Sequence, residues 1–182
     1  MGWYGIQQNF RNVQEYAEQE LKIDADKGII LDRAYYGNTV YSLIESKIDG
    51  SRLILVDLVK SESDGQWMHK PLSENCSPYY YDCPERILKL STSTNLYAIE
   101  WREKCRQKRR NKSETIKIFK KLIPDMIITT DRGEKLKFMR PYNKSCSQIV
   151  CSELSEGKVY RYSYTSFKAE QLKQDLTHSV AA

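Results

Sequence analysis

Cysteine and histidine are the side chains in this sequence that could carry thiol or metal chemistry. The chain has five cysteines, Cys76, Cys83, Cys105, Cys146 and Cys151, and two histidines, His69 and His178. The C-x6-C and C-x4-C spacings differ from the C-x2-C and H-x3-H spacings of common zinc sites. An odd number of cysteines without a secretion signal indicates reduced thiols. We therefore expect buried, structural cysteines and no metal or other cofactor.

Cys83 is the best candidate for a reactive thiol, because it comes just before a predicted helix start. A structural role at that position is favoured. The sequence contains no G-x-S-x-G, H-E-x-x-H, P-loop or dinucleotide-binding glycine pattern. We therefore predict that the protein is not an enzyme, and we keep thiol- or metal-dependent catalysis as a minor alternative.

The densest charge in the chain lies in the stretch EWREKCRQKRRNK, residues 100–112. Residues 1–100 carry 10 basic and 15 acidic groups, residues 101–121 carry 10 and 2, and residues 122–182 carry 9 and 7. The net charge of +5 therefore comes from one short segment. Such a segment could bind phosphates of DNA or RNA, or an acidic protein surface. The alternative is a solvated helix end, where the helix dipole favours cations.

A helix is predicted to present these cations. Tyr97, Trp101 and Cys105 repeat at i, i+4 and i+8 and form the expected buried seam. In this register Arg102, Arg106, Arg109 and Arg110 share one outward face, and Lys104, Lys108 and Lys112 share an adjacent one. We predict that these seven cations bind a partner.

Tyrosines form the second candidate binding feature. Tyr79 and Tyr80 belong to the loop before Pro84, and we add them to the predicted partner-binding residues. A further set, Tyr160, Tyr162 and Tyr164, alternates along the last predicted strand. Exposed rings can stack on nucleic-acid bases, but tyrosines are also common in sheets and at protein interfaces. Packing or a protein interface is the favoured interpretation.

The elements that must position these residues predict an α+β fold. We expect an N-terminal helix over residues 8–22, two antiparallel β-meanders separated by a central helical pair, and a short C-terminal helix over residues 167–176. The first meander turns at Asp49-Gly50 and Asp64-Gly65, and Leu53–Val59 should be its central strand. The helical pair covers residues 84–90 and a second helix from about residue 95 to at least residue 107, followed by a polar break around residues 111–115. Residues 116–124 fit either a helix or a strand.

The second meander should contain residues 126–130, 135–140, 148–153 and 159–164. The predicted organisation is an N-terminal α+β region with the basic helix, residues 1–115, and a C-terminal β-rich region, residues 116–182. One compact domain remains the alternative. No stretch approaches the length of a membrane-spanning helix, and no signal peptide or lipidation pattern is present, so we expect a cytoplasmic protein that does not contact a membrane.

The block Tyr81-Asp-Cys-Pro84, Ile87-Leu88, Leu90-Ser91, Thr94, Ala98, Trp101-Arg102 and Cys105-Arg106, with the opening Met1-Gly-Trp-Tyr4, resembles a family of small proteins of Firmicute phages and mobile elements. That family is similar to the group that includes a type II-A anti-CRISPR, an inhibitor of Cas9. The resemblance is specific over residues 81–106 and at the extreme N-terminus. The cationic run over residues 108–112 is not a feature that we associate with the family.

The resemblance implies guide-loaded Cas9 as the partner, in the cytoplasm of a host bacterium, with a possible direct contact to nucleic acid. An inhibitor that imitates DNA should be strongly acidic, because Cas9 holds nucleic acid in positive channels. A chain of +5 favours inhibition that hinders nuclease-domain activation. The second hypothesis is an autonomous DNA- or RNA-binding protein that uses the same helix.

Overall fold

The computed structural model describes residues 2–63 and 65–180. It divides the chain into two compact units, a first unit that ends at Gln107 and a second unit that begins at Lys108. The predicted boundary between residues 115 and 116 lies further along the chain. Both units combine helices with one antiparallel sheet, which confirms the predicted α+β class.

The first unit is built on a five-stranded antiparallel sheet. Its strands are β1 (Tyr4–Gln7), β2 (Gly28–Tyr36), β3 (Thr39–Ser46), β4 (Arg52–Ser61) and β5 (Gln66–Ser73), and they lie in the order β1-β5-β4-β3-β2. The predicted meander corresponds to β3, β4 and β5, and the central position of β4 is confirmed. The residue patterns did not predict β1 or the pairing of β2 with β3.

The two faces of this sheet bury different clusters. Helix α1 (Val13–Glu20) covers one face, where Tyr16 and Ala17 pack with Val40 and Val59. Helix α2 (Glu85–Leu88) and the beginning of helix α3 (Leu96–Phe119) cover the other face. There the buried side chains include Tyr41, Ile54, Ile87 and Trp101. Alternate residues of β3 and β4 therefore face opposite clusters, as the period of a strand requires.

The turns and helix ends differ in detail from the sequence pattern. Gly50 has φ +68°, a left-handed conformation that glycine adopts without strain, and it lies between β3 and β4 as predicted. The predicted turn at Asp64-Gly65 includes Asp64, which lies outside the described residues. Pro84 is the N-cap of α2, one residue before its first helical position. Asn95 Oδ1 accepts a hydrogen bond from the Tyr97 backbone N–H at 2.9 Å and caps α3.

Helix α3 continues through the polar segment that we predicted to interrupt it. Residues 111–115 are helical, and the helix ends at Phe119. Asn111 does not interrupt the helix, because its side-chain amide forms hydrogen bonds with residues that are distant in sequence. Its Nδ2 donates to the Phe167 carbonyl oxygen at 3.3 Å, and its Oδ1 accepts from the Ala169 N–H at 3.0 Å. The ambiguous segment after residue 115 is thus helical in its first part.

The second unit contains a four-stranded antiparallel sheet in the order β6-β7-β8-β9. The strands are β6 (Ile127–Thr129), β7 (Lys135–Pro141), β8 (Gln148–Glu153) and β9 (Val159–Ser163), as the second predicted meander requires. Helix α4 (Ala169–Val180) follows, and its Asp175 accepts a hydrogen bond from the Thr129 N–H at 2.7 Å. Phe119, Phe138, Phe167 and Leu172 form the core of this unit.

Candidate binding surface

Arg102 is not a surface residue, contrary to the sequence prediction. Its side chain is only 9% exposed. The guanidinium donates from Nη1 to Glu74 Oε2 at 2.7 Å and from Nη2 to the Ser93 carbonyl oxygen at 2.7 Å. Glu74 itself is fully buried, in a short 3-10 turn after β5. Arg102 therefore belongs to the structural framework of the first unit.

The buried ion pair is embedded in further hydrogen bonds. Arg102 Nη1 also donates to Ser91 Oγ at 2.6 Å, and Ser91 Oγ donates to Glu74 Oε1 at 2.5 Å. The same Glu74 oxygen accepts from the Ile54 backbone N–H at 3.0 Å. Buried charges are tolerated when each one is paired and hydrogen-bonded in this way. The network connects β4, the 3-10 turn, the segment before α3 and α3 itself.

Arg102 was wrongly predicted to be exposed because the buried seam of α3 contains other residues than those we predicted. Trp101 and Cys105 are fully buried as predicted, but Tyr97 is 63% exposed and Ala98 is fully buried. The seam is therefore Ala98, Trp101 and Cys105, and Arg102 lies four residues after Ala98 on the same side. The small Ala98 was the signal for this register. The acidic partner is 28 residues away in sequence, and no local pattern could have shown it.

Lys104 and Arg106 remain accessible cations of the first unit, and each pairs with acids of the same unit. Lys104 Nζ lies 2.7 Å from Glu100 one turn earlier. Arg106 Nε lies 3.2 Å from Glu85 of α2, and its Nη1 lies 3.9 Å from Glu103. The two cations are two positions apart and point to different sides of α3. The structure therefore does not gather them on one face.

Tyr79 and Lys104 are two predicted site residues that the structure leaves exposed. Tyr79 is 88% exposed. The pKa of Lys104 is raised, first by its hydrogen bond with Glu100 and then by electrostatic interactions with Glu100, Tyr81 and Tyr79. Tyr80 is exposed to a smaller degree, and Tyr81 is half-buried against the core. The loop tyrosine is therefore within range of an electrostatic interaction with the helix lysine.

Tyr97 extends this feature along α3. Tyr97, Glu100 and Lys104 are spaced i, i+3 and i+7 and share one side of the helix. We define the Tyr79–Lys104 surface as the residues Tyr79, Tyr97, Glu100 and Lys104. The sequence analysis missed Tyr97 as a surface residue, because it placed this ring in the buried seam. Exposed aromatic side chains next to a cation are typical of binding interfaces.

The other predicted cations belong to the second unit. Arg110 is exposed, while Lys108, Arg109 and Lys112 are partly exposed. The Lys112 ammonium lies 5.0 Å from the centre of the Tyr164 ring, within the range of a cation–π interaction. Lys173 lies 2.9 Å from Glu114 and, as the first cause, lowers the pKa of that carboxyl. The four cations Lys108, Arg109, Arg110 and Lys112 lie on the part of α3 that belongs to the second unit.

The tyrosines of β9 do not form a free aromatic row. Tyr162 packs against the core of the second unit, with its ring centre 6.1 Å from that of Phe167. Tyr164 lies in a 3-10 turn after the strand and contacts Lys112. Tyr160 alone is about half exposed. Packing or a protein interface was the favoured interpretation, and packing accounts for two of the three rings.

The described residues show no ready-made chemical centre. Among residues 2–63 and 65–180, no group of three or more His, Cys, Asp or Glu side chains could hold a metal ion. All five cysteines are free, and burial raises the pKa of the Cys151 thiol to about 12. No helix in the same part of the chain combines the length and the apolar character needed to cross a bilayer.

Comparison of the chain with models of known families, with curated proteins and with solved structures found no match.

Proposed function

We propose that this protein binds guide-loaded Cas9 and blocks DNA cleavage, as a mobile-element inhibitor without chemistry of its own. The Tyr79–Lys104 surface carries the proposal. It combines two exposed rings with an ammonium on a helix that the buried Trp101 anchors to the core of the first unit. A rigidly presented aromatic and cationic surface suits protein recognition, because little side-chain or backbone freedom is lost on binding.

The resemblance to the mobile-element family supports the choice of partner. Most of the residues that carry it within residues 81–106 are structural in this fold. Cys83, Ile87, Leu88 and Trp101 are fully or almost fully buried, and Arg102 completes the ion pair with Glu74. The resemblance therefore concerns mainly the residues that hold α2 and α3 in place in the first unit. The exposed residues on that framework are the ones that can differ between partners.

Charge argues against a simple imitation of DNA. The first unit carries 13 basic and 16 acidic residues, and the second carries 16 and 8. Neither balance resembles the dense negative charge that would occupy the positive channels of Cas9. We propose instead that binding hinders the nuclease-domain movement that precedes cleavage. The basic second unit would contact guide RNA, target DNA or an acidic surface of Cas9.

A gel shift run beside a cleavage assay tests this mechanism. Guide-loaded Cas9 is mixed with target DNA and increasing amounts of the protein, and both readouts are taken from the same samples. We expect cleavage to stop while the complex of Cas9 with target DNA persists. Loss of target binding at the inhibitory dose would favour competition for DNA and contradict the proposed mechanism. An unchanged cleavage rate at saturating protein would contradict the proposed function.

The excess of cations in the second unit favours one alternative, an autonomous DNA- or RNA-binding protein. Such a protein should bind naked nucleic acid with an affinity that falls steeply as salt rises, because counterions are released from the phosphates. A Cas9 inhibitor should bind guide-loaded Cas9 far more tightly than free DNA or RNA at the same ionic strength. Affinities for the three ligands across a salt series therefore separate the two functions.

A further inference from the structure

A small cavity of about 160 Å³ lies on the α1 side of the first sheet, apart from the Tyr79–Lys104 surface. Its walls combine an apolar part with polar side chains from five elements of the first unit. The apolar lining includes Leu21, Ile23, Ile30, Leu55 and Pro71, and the polar lining includes Glu20, Arg33, Ser42, Asp57 and His69. Concave apolar sites with a few converging polar groups are the usual form of small-molecule sites.

Asp57 is the unusual group in this cavity. It lies on the central strand β4, between Val40 and Pro71 of the neighbouring strands, and is only 5% exposed. Among the described residues, its carboxylate has no hydrogen-bond partner. Burial raises the pKa of this carboxyl to about 7, and the nearby Arg33 guanidinium lowers it by less. Buried polar groups normally have partners, so an unpartnered one that lines a cavity points to a ligand.

Arg33 offers the complementary group on the wall of the same cavity. Its Nε donates to Ser42 Oγ at 3.2 Å, and its Nη2 donates to the carbonyl oxygen of Leu21. These bonds hold the guanidinium in place on β2 while it faces the cavity. The site therefore presents a carboxyl acceptor and a guanidinium donor to one occupant. A ligand with an N–H beside a C=O or a ring nitrogen matches both groups.

His69 contributes a polar, uncharged side chain to the wall of the cavity. Its Nδ1 lies 2.7 Å from the Tyr16 hydroxyl, and burial lowers the pKa of the imidazole, so the ring is uncharged near neutral pH. The Tyr16 ring is in turn stacked on Trp67 at 5.7 Å. The bond to Tyr16 restrains the His69 ring on the wall of the cavity. A site built from such restrained side chains needs little rearrangement to bind.

A second concavity with basic residues shares part of the lining of this cavity and is more open to solvent. That outer concavity is about 320 Å³ in volume and shares Leu21, Lys22, Ile23, Ile30 and Arg33 with the inner cavity. Lys22 and Lys47 line it, together with Glu18. A ligand that fills both parts would place a polar ring near Asp57 and an anionic group near the lysines. Lysine ammonium groups are common phosphate ligands.

We infer that this composite site binds a pyrimidine nucleotide, with the base beside Asp57 and Arg33 and the phosphate near Lys22 and Lys47. A cavity of about 150 Å³ accommodates one six-membered ring, which favours a pyrimidine over the larger purine. Leu55 and Ile30 supply apolar contacts for the ring, and Asp57 and Arg33 read its hydrogen-bonding edge. The nucleotide is either free or an unpaired residue of a single strand. This inference is independent of the inhibitor function.

Calorimetric titration of the full chain tests the site. The probes are UMP, CMP, AMP, inorganic phosphate and a short oligo-U strand, each at concentrations up to about 5 mM. We expect saturable binding of at least one pyrimidine nucleotide with a Kd of about 1 mM or below, and AMP at least about tenfold weaker. No pyrimidine binding, equal binding of AMP, or binding explained by inorganic phosphate alone would overturn the inference.

Substitutions locate any binding that is found. Asp57→Asn and the cavity-filling Ile30→Phe should each weaken pyrimidine binding about tenfold or more, and Ile30→Phe keeps the test valid if Asp57→Asn does not fold. Asp49→Asn, in the exposed β3–β4 turn, is the matched control and should bind normally. Unchanged affinity in a folded Asp57→Asn or Ile30→Phe variant would overturn the site. Tighter binding of oligo-U than of UMP, with the same response to Ile30→Phe, identifies the strand as the source, and the reverse identifies the free nucleotide.

Discussion

The first and second units differ in how far their basic residues are balanced by acidic ones. In the first unit, Arg102 is buried on Glu74, Lys104 pairs with Glu100, and Arg106 pairs with Glu85. In the second unit, basic residues outnumber acidic ones 16 to 8. Helix α3 contributes cations to both units, so a single dense run in the sequence serves more than one purpose. Charge density along a sequence therefore predicts neither exposure nor a common role.

Trp101→Ala should produce the largest loss of stability and tests the framework of the first unit. The indole is fully buried between Tyr41 and the α2 residues, so truncation leaves a large cavity. We expect the free energy of unfolding to fall by about 3–5 kcal/mol. Urea denaturation followed by circular dichroism measures it. Tyr97→Ala, on the same helix but exposed, should change stability by less than about 0.5 kcal/mol. Equal losses of stability in the two variants would mean that Tyr97 is buried with Trp101, as the sequence predicted.

Arg102→Ala should destabilise the first unit nearly as strongly. Removing the guanidinium leaves the buried Glu74 carboxylate without its cation, which costs about 3–5 kcal/mol in comparable pairs. Arg110→Ala in the second unit is the matched control, because Arg110 is exposed. We expect that control to stay within about 0.5 kcal/mol of the original chain in the same urea experiment. Similar unfolding curves for the two variants would place Arg102 at the surface.

The pH dependence of stability should distinguish the central strands of the two units. Burial raises the pKa of Asp57 on β4 to about 7, above its ordinary value of 3.8. The native state thus holds this proton more tightly than the unfolded state. Its contribution is fully present below about pH 4 and is lost as pH rises through about 7, by on the order of 4 kcal/mol.

Urea denaturation between about pH 5 and pH 8 measures this loss as the difference between the original chain and Asp57→Asn. We expect the Asn variant to gain stability relative to the original chain as pH rises. Cys151→Ala on β8 is the control, because the raised pKa of this thiol keeps it neutral over the whole range. Its effect should therefore be the same at each pH. A constant difference for Asp57→Asn would show that Asp57 titrates normally.

The smallest expected effect concerns the salt dependence of nucleic-acid binding. This dependence should differ between variants of the two units. Arg110→Glu with Lys112→Glu, in the basic second unit, should lower the affinity for naked nucleic acid and flatten its dependence on salt. The matched pair Arg52→Glu with Lys89→Glu, in the first unit, should leave that slope nearly unchanged. Fluorescence anisotropy with a labelled duplex at several salt concentrations measures both. Equal slopes in the two variants would mean that the excess charge of the second unit has no role in binding.

Local patterns were sufficient for most elements of the fold. Asp49-Gly50 marked the β3–β4 hairpin, alternation and turn residues marked β6 to β9, and the apolar run of Leu53–Val59 marked the centre of the first sheet. These features depend on residues that are close in sequence. Short strand β1 and the continuation of α3 through Asn111 depend on distant partners. Tyr4 pairs with His69, and Asn111 bonds to Phe167 and Ala169.

The candidate site was harder to predict than the fold, because exposure depends on tertiary contacts. The sequence correctly indicated a helix with Trp101 and Cys105 inside, and it named Tyr79 and Lys104. It placed Arg102 outside and Tyr97 inside, and both placements are wrong. A one-residue change of register moved the seam from Tyr97 to Ala98. Asp57 was visible only as a polar interruption of an apolar strand, and its cavity required the packed structure.

The most direct test of the account is the affinity of guide-loaded Cas9 for a variant of the Tyr79–Lys104 surface. The variant combines Tyr79→Ala, Tyr97→Ala and Lys104→Glu, and the control combines Tyr36→Ala with Lys89→Glu on other exposed positions of the first unit. Biolayer interferometry measures binding, and thermal unfolding confirms that both variants are folded. We predict that the surface variant binds at least about a hundredfold more weakly, with a Tm close to that of the control. Equal affinities for Cas9 in the two folded variants would contradict the account.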